Sequence, residues 1–107
     1  MTIKALQHRI GYNFRDPAIL KSALTHRSAG RDNNERLEFL GDAALGFAIA
    51  DALYARFAEA SEADLTLMRV ELVRGSTLAL VAQEIDLGNC LSLGAGELKS
   101  GGRNRDS

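Results

Sequence analysis

Between Asn33 and Phe57 the chain runs without a proline through a pattern that begins NNERLEFLGDAAL. In a chain of 107 residues this stretch predicts one long central helix, capped by Asn33 or Asn34 and reaching about Phe57. Its acidic first turn suits the positive end of a helix. Leu37, Phe39, Leu40, Leu45, Phe47, Ile49 and Leu53 are spread around nearly its whole circumference at 3.6 residues per turn. A helix that is apolar all round is expected to be enclosed by others.

The flanking segments are helical in period as well, and none alternates as a half-buried strand does, so the expected class is all-α. Ile3 to Ile10 suggest a short amphipathic helix. Asp16 followed by Pro17 is an N-cap and first-turn pair, with Phe14, Ile19, Leu20, Ala23 and Leu24 as the core stripe behind it. Ser61, with Asp64 three residues on, opens another helix in the manner of a capping box. Gly75 reads as its stop, and Ser76 as the start of a helix through Leu78, Val81 and Ile85 that ends at Gly88. From Asn89 the sequence loses periodicity and gains glycine. Ser107 is a residue type that opens helices, which points to a further helix downstream.

Within the long helix, Glu35, Glu38 and Asp42 are spaced by three and four, so their carboxylates stack on one face. Like charges at this spacing cost roughly 0.2–0.5 kcal/mol on an exposed helix and more when buried. Two readings fit: a partly solvated acidic first turn, or a site for a cation. Oxygen-only donors on a rigid helix suit hard ions such as Mg²⁺ or Mn²⁺. Gly41 and Gly46 each cost about 1 kcal/mol relative to alanine inside a helix, which predicts a close approach there by a neighbouring helix or by a phosphate backbone.

Composition narrows the partners. A net charge of −1 and a pI near 6.1 carry no overall basic signature, so any polyanion has to be held by local groups or by metal. Cys90 is the one cysteine, which excludes an intramolecular disulfide and a cysteine-cluster zinc site; it reads as a small buried hydrophobe. The uncharged run AALGFAIA falls far short of the ~20 residues of a spanning helix, and no signal peptide is evident. A cytoplasmic protein with no membrane association is the expectation.

NERLEFLGDAAL closely resembles the signature of the ribonuclease III family, ERLEFLGD being its most specific segment. ALTHRSA (23–29), MRVELVRGSTLA (68–79) and LSLGAGELKSGGRNRDS (91–107) resemble the other blocks of that family in the same order. The resemblance covers the chain from about Leu6 onward. It implies the all-α ribonuclease III endonuclease-domain fold, a homodimer, and a valley between subunits that receives double-stranded RNA. It implies Mg²⁺-dependent hydrolysis, with Mn²⁺ a possible substitute and no small-molecule cofactor. The products expected are 5′-phosphate and 3′-hydroxyl ends, in the processing of ribosomal, transfer and messenger RNA.

Residue by residue, Glu38 resembles the metal-ligating glutamate of the family and Asp42 its catalytic, metal-proximal aspartate. Glu35 matches the signature glutamate that supports the dimer and the processing site, and Glu62 a further acid lining the valley. Phe39 resembles the aromatic that inserts across the dimer interface, although packing within the subunit explains it as well. Arg27, Arg69, Arg74, Lys99, Arg103 and Arg105 are candidates for phosphate contact, against the plainer reading of solvated surface charges. His26 reads as a structural histidine ordering the preceding helix end, and His8 as a surface residue.

One departure from the family bears on activity. Its pattern continues past the serine matching Ser107 into a helix carrying an aspartate and a glutamate that complete the metal site, and a double-stranded-RNA-binding domain typically follows. The expectation is therefore a partial endonuclease domain over 1–107, truncated before the closing helices, with weak or absent cleavage of its own. The alternative is a non-catalytic helical dimerisation or RNA-binding module on the same fold.

Overall fold

The computed structural model describes residues 3–96. Five α-helices run in order: α1 (Ile3–Ile10), α2 (Pro17–Ala23), α3 (Glu35–Arg56), α4 (Glu62–Val73) and α5 (Gly75–Glu84). Short 3₁₀ turns occupy Arg27–Ala29 and Leu87–Cys90. Among the described residues the only β-type pairing is an isolated parallel bridge between Thr25 and Ser92, so the expected all-α class is observed.

Local chemistry accounts for several of the boundaries. Gly11, at φ +70°, takes the left-handed conformation that closes α1, and the Tyr12 amide donates back to the Gln7 carbonyl at 3.1 Å. Asp16 caps α2 by accepting from the Ala18 amide at 3.0 Å, with Pro17 in the first turn. Ser61 caps α4 by accepting from the Asp64 amide at 3.1 Å. Gly75, however, is not a stop. Arg74, in extended conformation, ends α4 and caps α5 at once, and Gly75 is the first residue of α5. Helix α5 also ends before Gly88, because Asp86 turns the chain at φ +55° into the second 3₁₀ turn.

The core is small and sits at the N-terminal side. Leu6, Leu20 and Leu24 are buried, and Phe14, Ile85, Leu87, Cys90 and Leu91 pack on them. Cys90 is partly buried in this cluster. Burying a leucine is worth roughly 1.5–3 kcal/mol, so these few side chains hold α1, α2 and the 85–91 segment together. The Arg9 guanidinium adds a hydrogen bond to the Ile85 carbonyl at 2.9 Å. Helix α3 packs chiefly against α4, α4 against α5, and α5 and α1 against the second 3₁₀ turn.

Two expectations for α3 are not met. The helix is not enclosed: Leu53 is its one buried residue, while Phe39, Phe47 and Tyr54 are 82%, 73% and 76% exposed. The covered stripe is Leu45, Ile49 and Leu53, at successive spacings of four. The rest of the circumference has no element laid over it, because α4 covers one side only. Nor is there a close approach at Gly41 or Gly46, where an added Cβ would meet nothing within 4 Å. No described helix is long and apolar enough to cross a membrane.

Candidate functional site

The start of α3 is set by the segment from Ser22 to Ser28. The Thr25 carbonyl accepts from the Asn34 amide at 2.9 Å, and the Asn34 side-chain amide donates to the Ala23 carbonyl at 3.3 Å. Asn34 occupies the cap position but makes no side-chain cap bond. Asn33 does that work instead, its Oδ1 accepting from the Glu35 amide at 3.0 Å. On its other side the same segment holds the chain at 92–94. The His26 amide donates to the Ser92 carbonyl and the Ser92 amide to the Leu24 carbonyl, both at 2.9 Å. The Gly94 amide donates to Ser28 Oγ at 2.8 Å. Gly94 must be glycine here, since a Cβ would lie 2.5 Å from the Ser28 carbonyl oxygen.

His26 has a structural part in this clasp, on the following turn rather than the preceding helix end. It caps the Arg27–Ala29 turn, Nδ1 accepting from the Ser28 amide at 3.1 Å. Sequence reasoning did not single out Thr25, Ser28, Asn34 or Gly94 in these roles. The signal available was indirect: polar residues at a helix start, and a glycine-rich block with no assigned turn.

Helix α3 presents Glu35, Glu38 and Asp42 to solvent in its first two turns. Glu38 and Asp42, four apart, bring their Cβ atoms within about 5–6 Å, and no described residue forms an ion pair with either. Their oxygen donors suit a hard divalent ion as two of its ligands, and no third His, Cys, Asp or Glu among the described residues completes a cluster with them. Glu62 is the first residue of α4. It follows the far end of α3, and the 14 residues from Asp42 to Arg56 span about 21 Å of helix. One chain therefore does not bring Glu62 to the Glu38 and Asp42 pair.

Of the basic candidates, Arg27 and Arg69 are exposed on the first 3₁₀ turn and on α4. Arg74 is engaged with Glu71, its Nη1 lying 3.2 Å from Oε2. Such an exposed pair is worth at most about 1 kcal/mol and yields easily to a polyanion. Lys99, Arg103 and Arg105 lie outside the described residues. Phe39 projects from the same helix start and is the most exposed large apolar residue described. Beside it, an open cleft of about 430 Å³ lies between α2 and the start of α3, lined in part by Arg31 and Arg36.

This arrangement, a helical domain with an acid-bearing helix left open at its N-terminal turns, is that of a nuclease domain. The Ribonuclease-III-like family model matches residues 16–107. A solved structure of the ribonuclease III nuclease domain from Campylobacter jejuni is 37% identical, with a TM-score of 0.93 over 98% of this chain and 74% of that one. It is described for structural flexibility in the region involved in dimer formation of that domain. A second structure of the same domain, at 2.2 Å, matches with 37% identity and a TM-score of 0.91 over 98% and 72%. The chain belongs to the ribonuclease III family, whose members are nucleases and generally depend on divalent metal.

Proposed function

We propose that this chain supplies the acidic helix of a double-stranded RNA endoribonuclease that hydrolyses phosphodiester bonds in a Mg²⁺-dependent reaction. The observation that carries the reading is the pair Glu38 and Asp42, unpaired and solvent-facing at the start of α3 in a chain of this family. Mn²⁺ is the natural substitute, being a hard cation of similar preference. The metal, when bound, supplies an activated water and stabilises charge building on the phosphoryl oxygen. Glu38 and Asp42 hold it from one helical face, and the strap at Thr25 and Asn34 fixes the angle at which that face is offered. Glu35 supports the dimer and the processing site, and Glu62 lines the RNA valley away from the pair.

The assembly proposed is a homodimer. An exposed aromatic such as Phe39 is costly in water and gains by burial against a second copy. Duplex RNA lies across both subunits, with Arg27, Arg69, Arg74, Lys99, Arg103 and Arg105 meeting phosphates. The products carry 5′-phosphates, and the setting is cytoplasmic processing of ribosomal, transfer and messenger RNA.

A polypeptide limited to these 107 residues supplies two of the four acids that the family resemblance implies. Magnesium keeps its waters and demands fixed geometry, so such a polypeptide is expected to cut duplex RNA weakly or not at all. The test is a metal-dependent nicking assay on a long RNA duplex, read beside the melting temperature with and without Mn²⁺. Mn²⁺ at ten times its dissociation constant should stabilise the fold by about 1.4 kcal/mol, and Asp42→Asn should remove most of that. Robust cutting by the parent that Asp42→Asn abolishes would defeat the weak-activity expectation and establish the nuclease. No Mn²⁺ stabilisation at any concentration would remove the metal reading.

A further inference from the structure

The acids of α3 occupy one side of its first turns, and a polyanion approaching that side meets repulsion. Neighbouring cations have to offset it, since the chain carries a net charge of only −1. At 100° per residue, Arg36 stands about 100° around the helix from Glu35, on the flank rather than the acidic face. There it lines the cleft between α2 and α3 together with Arg31. Neither guanidinium forms an ion pair with a described residue. Asp32, which also lines the cleft, is turned to another partner: Ser22 Oγ donates to its Oδ1 at 2.5 Å. The cleft thus has two free positive groups against one carboxylate already in a hydrogen bond. Ala18, Ile19 and Leu37 form its apolar wall.

We propose that this cleft is a phosphate-binding site for an RNA strand, with Arg31 and Arg36 as substrate-positioning residues on the flank of the acidic face. The proposal rests on the reading of the chain as acting on duplex RNA. Guanidinium is the group best matched to phosphodiester oxygens, because its planar fork donates two parallel hydrogen bonds and never loses its charge. Contacts of this kind hold a strand in register without reading its bases. Helix α3 would then offer an anion a positive flank and a metal an acidic face within one turn, and the duplex would be seated by the first before meeting the second.

Salt dependence separates this role from a structural one, because each phosphate contact releases counterions and sets the slope of log affinity against log salt. The measurement is binding of the 107-residue chain to an RNA duplex across a salt series, for the parent, for Arg31→Ala with Arg36→Ala, and for Arg31→Lys with Arg36→Lys. The double alanine variant should lower the magnitude of the slope by about 1 for each arginine removed, and the lysine variant should retain it. The Mn²⁺-induced rise in melting temperature serves as the folding control and should be the same in all three. Duplex binding with an identical slope in the alanine variant overturns the cleft alone. A parent chain that binds no duplex RNA overturns the RNA reading and the cleft with it.

Discussion

The α1–α2 region and helix α3 treat their apolar side chains in opposite ways. Leu6, Leu20 and Leu24 sit at 2%, 4% and 6% exposure, held by short helices with weak intrinsic propensity. Helix α3 is 22 residues long, and it leaves Phe39, Phe47 and Tyr54 in solvent. Stability therefore resides where the helices are short, and the reactive carboxylates lie where the helix is long and half uncovered. An apolar helical face states that something covers it; it does not state that the same chain does.

That contrast can be broken most directly by truncating one residue from each region. Leu24→Ala should destabilise the fold by about 2–5 kcal/mol in denaturant unfolding, from lost burial and a residual cavity. Phe47→Ala, made in solvent, should change it by no more than about 0.5 kcal/mol at low protein concentration. If Phe47→Ala instead costs as much as Leu24→Ala, and the parent midpoint rises with protein concentration, the open face of α3 is buried between copies.

A smaller effect sharpens the role of the clasp between the two regions. Gly94→Ala forces a Cβ against the Ser28 carbonyl, and overpacking of this kind costs about 1–3 kcal/mol. The loss should appear as faster hydrogen exchange at the Ser92 amide, which bonds to Leu24 in the parent. Unchanged exchange would mean that the 92–94 segment is held by other contacts.

The elements that could be read from sequence were those with local causes. Asp16, Pro17 and Ser61 cap their helices through bonds two or three residues away, so a short window contains the whole signal. The acid spacing of Glu35, Glu38 and Asp42 is likewise a property of one helix. Gly75 misled because a glycine that ends one helix and a glycine that begins the next look alike until Arg74 is seen to turn the chain. The clasp was out of reach for a different reason: Ser28 and Gly94 are 66 residues apart, and nothing in either segment names the other. Enclosure of α3 was overestimated because periodicity counts apolar residues without counting the neighbours available to cover them.

Gly41 offers the finest test of that last point. In an exposed helix with nothing within 4 Å of where a Cβ would stand, glycine only weakens the helix, so Gly41→Ala should stabilise the chain by about 0.8–1 kcal/mol. The residue sits one position before Asp42, where a phosphate backbone drawn toward the metal pair would come nearest the helix. If that approach is the reason for glycine, the variant should be more stable and yet bind duplex RNA more weakly. A variant that gains stability and keeps its RNA affinity leaves the glycine without a role in substrate approach. One that loses stability means a neighbour absent from the single chain packs there, and the open face of α3 is then closed by protein rather than by RNA.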